Sequence, residues 1–127
     1  MNLVDTCGWL EFIAGTENAK NFEEAILDTK NLIVPAIVIY EVFKKITLDY
    51  SEDTALKVVA ELRQGQVVEV DETIALYAAK LSLEKKLPMA DAIIYATGLL
   101  KDALILTQDN HFEKLAGVSY FKKAPQN

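Results

Sequence analysis

Asp91 lies in the run Leu87-Pro88-Met89-Ala90-Asp91-Ala92-Ile93-Ile94-Tyr95-Ala96, where apolar neighbours surround its carboxylate. Pro88 suits a first helical turn, because its fixed φ is already helical and its missing N–H would have had no intrahelical partner there. Asp91 therefore falls within or just after the first turn of a helix. A carboxylate in that position can simply complement the positive end of the helix dipole, an effect of about 0.3–1 kcal/mol. A buried one stays charged only beside a cation, a metal or several donors. Three further carboxylates weigh toward the second reading. Asp5 and Asp109 each follow an apolar, strand-like run, and Glu41 lies early in another helix that begins at a proline.

Four carboxylates within a few ångströms repel one another, so without a cation some must take up protons. Oxygen ligands unaccompanied by a Cys or His set select hard divalent ions, Mg²⁺ or Mn²⁺. Such an ion would join an acidic protein to an anionic substrate, activate a water and offset charge building on a phosphodiester displaced in line. Other chemistries lack their parts. His111 is the sole histidine, Cys7 has no base nearby in sequence, and no Gly-rich loop is present to cradle a phosphate.

The elements that would position these residues alternate between strand-like and helix-like. Asn2-Leu3-Val4 is a short apolar run that ends at Asp5-Thr6, and Cys7 to Phe12 reads as a turn into a short helix. Glu17 to Leu27 has Ala19, Phe22, Ala25 and Ile26 at helical spacing, and Asn31 to Val34 reads as a buried strand. Pro35 closes that strand and opens a helix over Ala36 to Leu48, with Ile37, Tyr40 and Glu41 on one face. Ser51 is the expected N-cap for Glu52 to Gln64, and Gly65 ends that helix. Gln66 to Val70 is a third strand, and Asp71 caps a helix running to about Lys85. The Pro88 helix continues to about Lys101. Ala103 to Thr107 is a fourth strand, Asn110 to Leu115 a short helix and Val118 to Phe121 a final strand.

Strands separated by helices imply right-handed crossovers and a parallel sheet covered on both faces, a three-layer α/β/α sandwich. In such sheets ligands sit beyond the carboxyl ends of the strands, where the winding direction changes. Asp5 and Asp109 face one crevice there if the first and fourth strands are neighbours.

The 127 residues and 51% hydrophobic content fit one globular domain over 1–127. No apolar run reaches the roughly 20 residues that span a bilayer, and the N-terminus lacks the basic region of a signal peptide. The expected location is cytoplasmic, with no membrane partner. Cys7 is the only cysteine, which excludes an intramolecular disulfide. The formal net charge of −6 opposes general binding to a polyanion. A nucleic acid would therefore need cations at the acidic cluster.

The stretches Leu3-Val4-Asp5-Thr6-Cys7-Gly8-Trp9-Leu10-Glu11-Phe12, Tyr40-Glu41-Val42, Pro88-Met89-Ala90-Asp91-Ala92-Ile93-Ile94 and Leu106-Thr107-Gln108-Asp109-Asn110-His111-Phe112 resemble the four acidic blocks of PIN domains. The nearest likeness is to VapC-type toxins of bacterial and archaeal toxin–antitoxin pairs, and it covers essentially the whole chain, in order. The resemblance implies a parallel five-stranded sheet of order 3-2-1-4-5. It also implies Mg²⁺- or Mn²⁺-dependent endoribonuclease activity, homodimerisation and inhibition by a cognate antitoxin. Asp5, Glu41, Asp91 and Asp109 become the candidate catalytic and metal-ligating residues, with Asp5 and Asp91 foremost. Thr107 matches a hydroxyl residue supporting the last acidic position, and Thr6 a small polar residue following the first. Two positions depart from the family pattern: Cys7 stands where Ser is frequent, and His111 where an acidic residue often precedes the Phe.

His111 is read as an exposed loop residue, Trp9 and Phe12 as core, and the pairs Lys44-Lys45 and Lys85-Lys86 as solvated faces. Glu11, Glu69 and Asp71 are assigned to the surface or to caps. The expected function is an antitoxin-controlled ribonuclease acting on RNA phosphodiesters. The alternative is a catalytically inert PIN-like module whose acidic cluster pairs with a basic partner. A phosphorylated-aspartate receiver or phosphatase fits less well, because no second Asp follows two residues after Asp5.

Overall fold

Five short segments, the central ones apolar and buried, form one fully parallel sheet in the computed structural model, which describes residues 1–125. The strands are β1 (Asn2–Val4), β2 (Leu32–Pro35), β3 (Gln66–Val68), β4 (Leu104–Thr107) and β5 (Val118–Tyr120). Their spatial order is β3-β2-β1-β4-β5. Helices α1 (Thr6–Ala14) and α2 (Lys20–Leu27) join β1 to β2. Helices α3 (Ala36–Asp49) and α4 (Glu52–Leu62) join β2 to β3, and α5 (Glu72–Lys85) and α6 (Met89–Leu100) join β3 to β4. The result is the three-layer α/β/α arrangement, with the expected strand order.

From the central β1 the chain first winds outward through β2 and β3, then returns to lay β4 against the other side of β1. The change of direction falls between β1 and β4, where Leu3 is in register with Ile105 and Val4 with Leu106. Beyond that pair the Asp5 amide donates to the Leu106 carbonyl at 3.0 Å. The segments that carry Asp5 and Asp109 therefore emerge side by side from the carboxyl edge. Leu3, Val4, Val34 and Ile105 are completely buried, so the sheet interior supplies the rigid base beneath this edge.

Two glycines allow helices to approach that base closely. A Cβ on Gly8 would lie 2.6 Å from Phe22 Cδ1 and 2.7 Å from Val4 Cγ1, so the start of α1 seats directly on the core. A Cβ on Gly98 would lie 2.5 Å from Ile105 Cδ1, which shows how tightly α6 rests on β4. Trp9 is buried and meets Phe12 edge-to-face at 6.3 Å, as the core reading of that pair expects.

The boundaries differ from the sequence expectations where local bonding intervenes. The segment expected to be helical from Glu17 opens as a 3₁₀ turn over Glu17–Ala19, and regular α-helix begins only at Lys20. The short helix expected over Asn110 to Leu115 is a 3₁₀ turn over Asn110–Phe112, because the Asp109 side chain accepts from the His111 amide and tightens the turn. The edge strand β3 stops at Val68, since Glu69 and Val70 are exposed and Asp71 already caps α5 through Ile74 N at 2.8 Å. Ser51 caps α4 through Thr54 N at 3.1 Å. Among the described residues no helix is long and apolar enough to cross a membrane.

Candidate active site: an acidic crevice at the carboxyl edge

Asp5 ends β1 and caps α1, two tasks that fix its carboxylate. Its Oδ1 accepts from the Thr6 amide at 2.8 Å, and its Oδ2 accepts from the Thr107 hydroxyl at 2.8 Å. The side chain is buried, and burial is the largest influence on its acidity. The Thr107 and Thr6 hydrogen bonds oppose that influence and nearby Asp109 reinforces it, leaving the pKa raised from 3.8 to about 6.

Thr107 links two of the acidic positions. Its hydroxyl gives its proton to Asp5 and accepts from the Asp109 amide at 2.9 Å. Thr6 does similar work on the other side, donating to Glu41 Oε1 at 2.7 Å and so joining the first turn of α1 to the second turn of α3. Both supporting hydroxyls thus hold an acidic residue from a different element.

Asp91 is the third residue of α6, whose N-cap position is taken by Pro88. Its pKa is raised from 3.8 to about 7, first by burial and then by Asp109 and Asp5. His111 pulls it down and Glu41 pushes it up. One carboxylate thus feels all three of the others. The four acidic residues, from four separate places in the chain, form a single electrostatic unit.

The unit is not uniform. Among the described residues the tight group comprises Asp91, Asp109 and His111, each offering one ligand atom, all within 4.8 Å of one another. His111 Nδ1 lies 2.8 Å from Asp109 Oδ1 and 3.1 Å from Asp91 Oδ2. Asp5 and Glu41 flank this group, their carboxylates engaged by Thr107, Thr6 and the α1 amide. His111 is therefore more than the exposed loop histidine expected from sequence. The turn held by Asp109 swings it back over both carboxylates. No lysine or arginine nitrogen lies within 4.0 Å of any of the four acidic groups among the described residues.

Cys7 is packed into the same support. Its sulfur accepts from the Gln108 amide at 3.4 Å and lies 3.5 Å from Asp5 Oδ2, and burial pushes the thiol up to about 12. At that value it is no nucleophile. Gln108 and Asn18 are both buried and hydrogen-bond at 2.8 Å, and Gln108 Nε2 also donates to Glu11 Oε1 at 3.1 Å. This chain ties the loop bearing Asp109 to α1 and to the turn before α2. Glu11 belongs to it and is half-buried, not merely a surface group. Sequence reasoning passed over Asn18 and Gln108 because neither follows an apolar period, and 90 positions separate them. The only local signal was the place of Gln108 between Thr107 and Asp109.

The PIN-domain family model matches residues 3–118. The chain belongs to the PIN-domain family. No curated protein matches the sequence. Among solved structures, the PIN domain is similar to a toxin–antitoxin complex from Klebsiella pneumoniae at 23% identity and a TM-score of 0.80, with 94% of this chain and 96% of that one covered. It is also similar to a DNA-bound VapBC from Salmonella typhimurium, at 18% identity and a TM-score of 0.76, covering 95% and 98%. A third is VapC20 of Mycobacterium tuberculosis, described as a toxin that cleaves the sarcin–ricin loop, at 15% identity and a TM-score of 0.68, covering 82% and 85%. At these identities the likenesses establish a common fold. In this PIN domain, the donors facing the crevice are carboxylate oxygens with one imidazole, a set suited to a hard or borderline divalent cation.

Proposed function

We propose that this PIN domain is a VapC-type toxin, an endoribonuclease that hydrolyses RNA phosphodiesters with Mg²⁺ or Mn²⁺ and is held inactive by a cognate antitoxin. The observation that carries the proposal is the convergence of Asp5, Glu41 and Asp109 on Asp91, with no lysine or arginine within 4.0 Å of any of the four among the described residues. A cluster of four acids with no lysine or arginine among them suits an external cation. The toxin–antitoxin complexes among the structural relatives support the antitoxin partner, and the sarcin–ricin-loop-cleaving relative supports an RNA substrate. Homodimerisation is part of the same proposal.

Asp5 and Asp91, the ligands expected foremost, hold the ion in this reading together with Asp109, which lies at ligand distance from Asp91, and Glu41 completes the acidic wall. A bound divalent ion supplies Lewis acidity and compensates charge on the phosphodiester. The chain's own groups do the rest. Thr107 holds Asp5 and the Asp109 backbone in one register. Thr6 occupies Glu41 Oε1 and leaves Oε2 to align the attacking water.

The test uses the chain purified free of any co-expressed partner, incubated with total RNA in Mg²⁺ or in chelator. Cleavage in Mg²⁺, lost in chelator and in both Asp5→Asn and Asp91→Asn while circular dichroism stays unchanged, is the expected result. Cleavage that survives in both variants overturns it. Absence of cleavage by the wild type, with retained binding to a basic partner, favours the inert module.

A further inference from the structure

We infer that His111 is itself a metal ligand, giving the site a mixed oxygen–nitrogen character that favours Mn²⁺ over Mg²⁺. The inference rests on the divalent-ion reading of the crevice and goes beyond the acidic set by assigning a ligand outside it.

The loop geometry aims the imidazole. Phe112 is completely buried and anchors the turn, while Asp109 Oδ1 accepts from the His111 amide at 2.9 Å. Together they fold the His111 side chain back onto its own turn. Nδ1 comes to 2.8 Å from Asp109 Oδ1 and 3.1 Å from Asp91 Oδ2, bridging a strand-end loop and a helix start. Neighbouring ligands around an octahedral ion with bonds of about 2.1 Å stand about 3.0 Å apart. Both separations fall near that edge. Three atoms already spaced as ligands of one ion need little rearrangement to receive it.

The ring is also free to serve. Its side chain is 52% exposed, and its second nitrogen makes no hydrogen bond to the protein among the described residues. Coordination through Nδ1 leaves the ring proton at Nε2. Mg²⁺ selects oxygen ligands and keeps its waters, whereas imidazole raises the relative affinity of transition ions. Replacing one oxygen donor by nitrogen therefore shifts the site toward Mn²⁺. A histidine acting only as a positive counter-charge would be displaced by either ion and would discriminate between neither.

Direct binding separates these cases without reference to RNA. The full chain would be titrated with Mn²⁺, read by loss of the free-ion paramagnetic resonance signal, and with Mg²⁺ by calorimetry. Pulsed paramagnetic resonance of the Mn²⁺ complex would show a directly bonded nitrogen in the wild type and none in His111→Ala. His111→Ala is expected to lose about tenfold in Mn²⁺ affinity with little change for Mg²⁺, and His111→Asp to bind Mg²⁺ more tightly than the wild type does. Mn²⁺ bound without a nitrogen signal, or a Mn²⁺-to-Mg²⁺ preference unchanged in His111→Ala, overturns the inference and leaves the proposed nuclease standing. A wild type that binds neither ion sinks both.

Discussion

Thr107 shows how a single hydroxyl can set the geometry of a charged site. It is fully buried, gives its proton to Asp5 Oδ2 and receives the Asp109 amide, so its removal strips the buried carboxylate of a donor and releases the loop behind it. Loss of such an outer partner costs about 10–100-fold in metal affinity or activity. Thr107→Val should therefore lower the RNA cleavage rate by that order and depress the melting temperature, whereas Thr107→Ser, which keeps the hydroxyl, should restore most of both. Wild-type cleavage by Thr107→Val, measured at saturating Mg²⁺, would remove Thr107 from the machinery. Cys7, in the same pocket, illustrates the opposite outcome. The thiol is held by Gln108 N and lies beside Asp5, and burial makes it a packing group.

At the scale of elements, the site depends on how α6 is laid against β4, because Asp91 rides on one and Asp109 follows the other. Gly98 lets them meet, and a methyl there would fall 2.5 Å from Ile105 Cδ1. Gly98→Ala should cost about 1–3 kcal/mol through overpacking. It should also move the start of α6 relative to the β4 loop. A displacement of about 1 Å in a catalytic group can cost about 10²-fold, so cleavage should fall further than the loss of folded protein explains. Thermal melts and rates measured well below the melting temperature would separate the two effects. The Asn18–Gln108 pair works on the other flank, holding the Asp109 loop against the turn before α2.

For the whole molecule, the clustered acids make stability depend on pH in a direction opposite to that of an ordinary salt-bridged carboxylate. Asp5 and Asp91 are raised from 3.8 to about 6 and about 7, so between those values the folded chain holds protons that the unfolded chain has released. Stability falls with rising pH wherever the native state binds more protons. The contribution is complete below about pH 4 and is lost as the pH passes through the two folded values, toward about 7. In chelator, the melting temperature should therefore drop across this interval. Saturating Mg²⁺ should recover it at neutral pH and do little in acid, where protons already occupy the site. Asp91→Asn should flatten the metal-free profile, and a melting temperature that rises over the same interval in chelator would contradict the coupling. The net charge of −6 acts in the same sense, since an anionic substrate gains little from the protein surface and much from the ion.

Local physics wrote much of this molecule plainly into its residues. The apolar runs at Leu3-Val4 and Leu104 to Leu106, the caps at Ser51 and Asp71, and the proline starting α6 each act within a few positions, so their elements could be read without coordinates. The strand-end and helix-start positions of Asp5, Glu41, Asp91 and Asp109 were legible for the same reason, and their resemblance to the family's acidic blocks supplied the strand order. Proximity was not legible. Which acids share ligand distance, and that His111 rather than Asp5 completes the tight group, follows from the seating of α6 on β4 and from a turn bent by Asp109. Asn18 meets Gln108, and Thr6 meets Glu41, across 90 and 35 positions. No periodicity encodes such meetings, because they are set by the packed distances between elements and not by the preferences of any one segment.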